Sequence, residues 1–189
     1  MGNDSAQRFA DAASFLPPEI RRGLAGQATD RLQDLPLRNV ALLSCDIVGF
    51  SAHSSALLAN RADGVEVLHR QLQSHYETLV SAVIAHGGEP ITFIGDCLLC
   101  LWDIADDDPA PAVHAAAGVA RQLADRRKAG EGHFDLNLHV VTGGLRTIEV
   151  GGLSGRWLGT HVGPVLRALQ DTARARLPNE VLLSQIGRA

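Results

Sequence analysis

A chain of 189 residues is long enough for one domain with a single sizeable core, and 46% hydrophobic against 20% charged residues exclude a disordered polymer. A net charge of −4, a pI of about 6.0 and scattered basic residues exclude a charge-driven surface for nucleic acid or acidic membrane. No apolar stretch approaches the ~20 residues that cross a bilayer. Met1–Ser5 is too polar for a signal peptide, and Ala6 stands where a myristoylation site needs Ser or Thr, so a cytoplasmic chain with no nucleic-acid or membrane partner is expected.

Residues 1–38 read as a leader or docking segment, with short helices over Ala6–Phe15 and Glu19–Leu24 separated by Leu16-Pro17-Pro18. The domain proper spans 39–189. Val40–Asp46 is an apolar run closed by a carboxylate, the pattern of a central strand buried on both faces. Ile47–Ser51 leads to a helix start around His53–Asn60. A long helix over Gly64–His86 follows, with Val65, Leu68, Leu72, Tyr76, Leu79 and Val83 at spacings of three and four, ended by Gly87-Gly88. Ile91–Ile94, the turn Gly95-Asp96 and Cys97–Trp102 read as a β-hairpin with an acid at its tip.

Asp106–Asp108 is a solvated start for a helix that begins near Pro109–Pro111 and ends in Arg126-Arg127-Lys128. Leu136, Leu138 and Val140 alternate as a strand. Gly143-Gly144 predicts a turn, and Ile148 and Val150 a partner strand. Glycines at 151, 152 and 155 predict further turns, Val162–Ala175 a helix, and Glu180–Ser184 a last short strand; the tail after it fits a piece of a longer protein. The order β, α, β-β, α, β-β, α, β predicts an α+β, ferredoxin-like sandwich, its mostly antiparallel sheet packed with helices.

Cysteines 45, 97 and 100 all fall in strand-like runs. Cys97 and Cys100 lie three apart, so a strand points them to opposite faces, and they are expected to be small buried hydrophobes. His75, His86, His114 and His139 have no metal-ligand spacing.

Asp46 and Asp96 carry the chemistry. Each closes an apolar run where strand meets turn. Such acids also serve as caps or turn formers, but two of them at neighbouring strand ends repel, and must share a proton or hold a cation. Mg²⁺ takes one or two protein carboxylates and completes its shell from phosphate and water. Gly49 and a helix start behind it favour an anion through backbone N–H groups.

Cys45-Asp46-Ile47-Val48-Gly49-Phe50-Ser51, Gly87-Gly88-Glu89-Pro90-Ile91-Thr92-Phe93-Ile94-Gly95-Asp96 and Leu177-Pro178-Asn179-Glu180-Val181-Leu182-Leu183-Ser184 together resemble the signatures of class III nucleotide cyclase domains. With Phe15-Leu16-Pro17-Pro18-Glu19 before them, the likeness is greatest to the first domain of the soluble, bicarbonate-regulated adenylyl cyclases and their bacterial relatives, and it covers residues 14–185. The resemblance implies a head-to-tail dimer that converts ATP, or GTP, to a 3′,5′-cyclic monophosphate and pyrophosphate. It implies Asp46, Asp96 and the Ile47 carbonyl as ligands of two Mg²⁺ or Mn²⁺ ions, and Ile47, Val48, Gly49, Phe50 and Ser51 as the triphosphate loop.

The likeness fails where the family reads base and ribose. The base-reading lysine falls on Thr92, and Lys128 is the chain's single lysine. A second base position falls on Thr160, which suits adenine. The ribose-orienting Asn and the transition-state Arg fall on Arg167 and Asp171. Loss of such an arginine costs orders of magnitude in phosphoryl chemistry. The expectation is therefore a metal-bearing half, active with a complementary domain in a heterodimer rather than as a homodimer; the alternative is an inactive pseudo-cyclase that binds nucleotide or only dimerises. Arg156 lies near the family's bicarbonate arginine, though a surface role is the simpler one. No Gly-Gly-Asp/Glu-Glu-Phe segment points to a diguanylate cyclase, and 4% aromatics with an acidic pI do not fit an RNA-binding sheet.

Overall fold

Val40–Cys45 is buried throughout, so this run must lie inside a sheet covered on both faces. The computed structural model, which describes residues 37–151, 157–174 and 177–184, shows that arrangement. The elements are β1 (Arg38–Ile47), α1 (Phe50–Asn60), α2 (Gly64–Ala85), β2 (Glu89–Ile94), β3 (Cys97–Asp103), α3 (Ala110–Lys128), β4 (Leu136–Gly151), β5 (Trp157–Val162), α4 (Pro164–Thr172) and β6 (Val181–Leu183). The predicted leader helices lie outside the described residues.

The chain forms two units. Among the described residues, one comprises 38–145 with those from Gly163 onward, and the other those of 146–162. In the first, the strand order is β2-β3-β1-β4, all antiparallel, with β6 added parallel to β4. In the second, Arg146–Gly151 of β4 pairs antiparallel with β5, and the Thr147 hydroxyl lies 3.2 Å from His161 Nδ1.

Alternation along β1 divides the core of the larger unit. Ala41, Leu43, Cys45 and Ile47 face α2 and α3 with Leu79, Val83, Val119, Ala120 and Leu123. Val40 and Leu42 face the other way, with Leu99, Leu101, Val141, Leu145 and Val165 of α4. A fully buried leucine such as Leu42 or Leu43 contributes about 2 kcal/mol. The expected α+β sandwich, its sheet mostly antiparallel, is the fold observed.

Three expectations need correction. Gly143 and Gly144 do not turn: they pair with Val40 and Asn39 inside one continuous strand, β4. Gly143 is small because α4 passes close by: a Cβ built on it would lie 3.3 Å from Val165. Trp157–Val162 is a strand, and the following helix starts at Pro164, in the first turn where proline is tolerated, not at Val162. Val65 stands exposed in the first turn of α2 rather than on its buried face. Cys97 and Cys100 do face opposite ways, and all three cysteines are free.

Candidate active site

Ser44 and Asp46 share the sheet face of Leu42. The apolar core on that face therefore gives way to polar groups towards the end of β1. In the register, Ser44 faces His139 and Asp46 faces Asn137 across the β1–β4 ladder. Ser44, Asn137 and His139 are all buried, and they are the buried polar side chains described in this unit. Asn137 Nδ2 donates to Asp46 Oδ2 at 3.1 Å, while its Oδ1 is buried without a hydrogen-bond partner among the described residues. On the opposite side, Ser44 Oγ lies 3.2 Å from Cys97 Sγ.

Asp96 reaches this neighbourhood through the β2–β3 turn. Cys45 pairs with Leu98, so the strand that starts at Cys97 runs beside the end of β1. Gly95 takes a left-handed φ of 64° in that turn. Tyr76, on α2, donates its hydroxyl to the Asp96 main-chain carbonyl at 3.0 Å. Its ring meets Phe93 edge-on, with centroids 5.1 Å apart. Burial first, then the Asp96 carboxylate with smaller contributions that include Asp46, pushes the Tyr76 phenol up to about 12. Burial also raises the Cys97 thiol, and both carboxylates add to it. Both groups thus lie in the field of the two acids.

The loop after β1 ends at Gly49, whose φ of 68° and ψ of 24° set it left-handed at the N-cap of α1. A Cβ there would meet nothing within 4 Å, so the glycine answers to backbone conformation and leaves open space over the loop. No side chain caps α1, and the first turn holds no acid. His53 N–H bonds to Gly49 O, which leaves the N–H groups of Phe50, Ser51 and Ala52 as the first-turn donors. Val48 N–H is engaged by Asp135 O at 2.8 Å, so of the loop expected to hold the triphosphate this donor is already taken. The Ile47 side chain is buried in the core, fixing the backbone that would present its carbonyl.

The residues expected to read base and ribose do not join this cluster by any described contact. Thr92 is half-buried on β2, and its hydroxyl points to the Phe93 carbonyl at 3.4 Å. Arg167 and Asp171 are exposed on α4, where Asp171 pairs with Arg174 at 3.7 Å. Thr160 belongs to the smaller unit, paired with Ile148. Arg156 lies outside the described residues. His75 packs against Tyr76 and Phe134, and burial pushes it down to about 4. Asp106–Asp108 is exposed as expected, and Asp108 accepts from Ala110 N–H at the start of α3.

Tyr76 and Asn137 bond to Asp96 and Asp46, and sequence reasoning gave neither a place in the candidate site. Tyr76 counted only as one apolar position on the α2 face. Asn137 had a signal: a small amide between Leu136 and Leu138, on the strand face opposite theirs.

Among the described residues, no group of three or more His, Cys, Asp or Glu side chains could hold a metal ion. A cation between Asp46 and Asp96 would therefore rely on two carboxylates plus backbone, amide, water or phosphate oxygen. That is how Mg²⁺ is usually held, and the orphaned Asn137 Oδ1 beside Asp46 fits it.

No family model matches the sequence, and the search of curated proteins finds no match. Solved structures do match in fold. The adenylyl cyclase CyaB from P. aeruginosa superposes with a TM-score of 0.60 at 19% identity, over 79% of this chain and 78% of that one. The dimeric guanylyl cyclase domain of the RhoGC fusion protein from the fungus Blastocladiella emersonii gives 0.62 at 13% identity, over 80% and 82%. The guanylate cyclase domain of RhGC from Catenaria anguillulae, solved with GTP, gives 0.60 at 15%, over 79% and 80%. The chain has the fold of class III adenylyl and guanylyl cyclase catalytic domains. No described helix is long and apolar enough to cross a membrane.

Proposed function

We propose that this chain is the metal-bearing half of a class III nucleotide cyclase site, taking ATP or, secondarily, GTP. One observation supports the reading: in a cyclase fold, β1 ends in Asp46 and Ile47 beside the start of β3, which directly follows Asp96, and a helix without a side-chain cap begins just after β1. Asp46 and Asp96 would hold two divalent cations, Mg²⁺ or Mn²⁺, with the Ile47 carbonyl. Those ions would supply positive charge that helps the ribose 3′-oxygen ionise and offsets charge on the phosphates. The first-turn N–H groups of α1 bind and orient the triphosphate. The 3′-oxygen then bonds to the α-phosphorus, and the bond from that phosphorus to the β-phosphate oxygen breaks, releasing pyrophosphate.

Base, ribose and transition-state contacts come, in this reading, from a complementary cyclase domain that carries the Lys, Asn and Arg for which Thr92, Arg167 and Asp171 stand here. The test is cyclic nucleotide production from ATP and from GTP, in Mn²⁺ and in Mg²⁺. The chain alone is expected to be nearly inactive, and to gain activity when mixed with such a domain. Asp46→Asn is expected to abolish that gain, and an unaffected gain would overturn the reading.

A second reading is a regulatory pseudo-cyclase in the cytoplasm that binds nucleotide or dimerises without turnover. The ion pair between Asp171 and Arg174 favours it, because the acid occupies the transition-state position and engages a neighbouring arginine. Failure of every complementary domain to restore turnover, with nucleotide still bound, would select it.

A further inference from the structure

The amide of Asn137 is asymmetric in its surroundings, and chemistry fixes its orientation. Asp46 Oδ2 lies 3.1 Å from it. A carboxylate only accepts hydrogen bonds, so the NH₂ side must face Asp46 and the oxygen must face away. That oxygen is buried and unpartnered among the described residues, in a side chain only 3% exposed. Buried acceptors without a protein partner are rare, and a bound water or ion is the usual partner of one. β4 fixes the side chain, because Leu136 and Leu138 on either side are packed into the core.

We propose that Asn137 is a positioning residue of the cation site. Its Nδ2 holds Asp46 Oδ2, so that the remaining lone pairs of this carboxylate point to the cation. Its Oδ1 accepts a hydrogen bond from a water in the cation's coordination shell. Outer partners of this kind orient a ligand and strengthen the whole site. The inference rests on the reading of Asp46 as a cation ligand.

Mn²⁺ binding to the full chain, followed by the loss of the free-ion electron paramagnetic resonance signal, tests it without turnover. Wild type is expected to bind Mn²⁺ at a site that Asp46→Asn removes. Asn137→Leu fills the space without either polar atom, and is expected to bind about tenfold more weakly or worse. Its metal-free melting temperature should be no lower than that of the wild type, because the buried orphan is gone. The resonance of the bound ion should also change shape as its water loses an acceptor. Asn137→Ser, too short to reach Asp46, is expected to show the same loss of affinity and covers the case in which the leucine variant does not fold. Wild-type affinity and an unchanged bound-ion spectrum in a folded variant would overturn the role of Asn137 alone. No Mn²⁺ site in the wild type would overturn the reading of Asp46, and this inference with it.

Discussion

The hydroxyl of Tyr76 reaches from α2 to the main-chain carbonyl of Asp96, 20 residues along the chain, at 3.0 Å. This bond ties the hairpin turn that carries the second acid to a helix packed on the core. Tyr76→Phe keeps the ring against Phe93 but frees the turn. One lost hydrogen bond of this kind costs about 1 kcal/mol, which urea denaturation would register as a small fall in midpoint. Mn²⁺ affinity is expected to fall severalfold in the same variant. A stability loss with unchanged affinity would mean that the turn is held by its own strands.

Gly49→Ala tests the loop after β1. The methyl has room, so its whole effect comes from forcing a left-handed backbone on a residue with a Cβ. That costs about 1 kcal/mol. Gly49→Asn is expected to cost less, since Asn visits this conformation more readily. The comparison of the two melting curves is the measurement. Equal losses would point to the loss of open space, not to conformation.

Asn179 is a small hub. Its backbone is left-handed with a φ of 59°, its Oδ1 accepts from Leu136 N–H at 3.0 Å, and its Nδ2 donates to Asp135 Oδ1 at 3.0 Å. Arg127 Nε donates to the same oxygen at 2.7 Å. Asn179→Gly keeps the backbone and removes both side-chain bonds, at a cost of about 1–2 kcal/mol. Asn179, and then Arg127, hold the Asp135 carboxyl below the usual carboxylate range. Its contribution to stability is therefore present above the ordinary value of 3.8 and fades as pH falls through the lower, folded value. Unfolding followed from neutral to acid pH should show a smaller acid-linked loss in Asn179→Gly.

The alkaline limb has the opposite origin. Burial holds the Cys100 thiol at about 12 against 9.0, and the Tyr76 phenol at about 12 against 10.0. Above pH 9 the unfolded chain releases these protons first, so stability falls as pH rises from 9 towards 12. Cys100→Ala should lower stability at neutral pH, where it leaves a small cavity, yet show a shallower decline through the alkaline range. Denaturant midpoints taken across that range decide it.

Runs of one chemical type made much of this fold legible in advance. Val40–Leu43 and Cys97–Trp102 have no polar interruption, and each became a strand within a residue or two of the expected ends. The two acids were legible because each ends such a run. Glycine misled where it served packing instead of turning. Gly143 and Gly144 lie in a ladder, and a Cβ on Gly163 would fall 2.3 Å from the Gly144 carbonyl oxygen. A local pattern cannot distinguish a glycine that bends the chain from one that admits a neighbouring helix. β5 was missed for the same reason: Gly159 breaks its alternation, and its partner is Arg146–Gly151 of β4. Asn137 lay beyond a motif reading because its meaning depends on which residue faces it across the ladder.

Asp46 and Asn137 are separated by 91 residues. Pairing across so long a stretch is slow to form, because the loop between must close before the contact stabilises anything. The β2–β3 hairpin is local by comparison. During synthesis both acids leave the ribosome well before β4 does. The chain therefore passes through a stage in which the strand ends that carry its two acids can already pair while the amide that holds Asp46 has not yet been made.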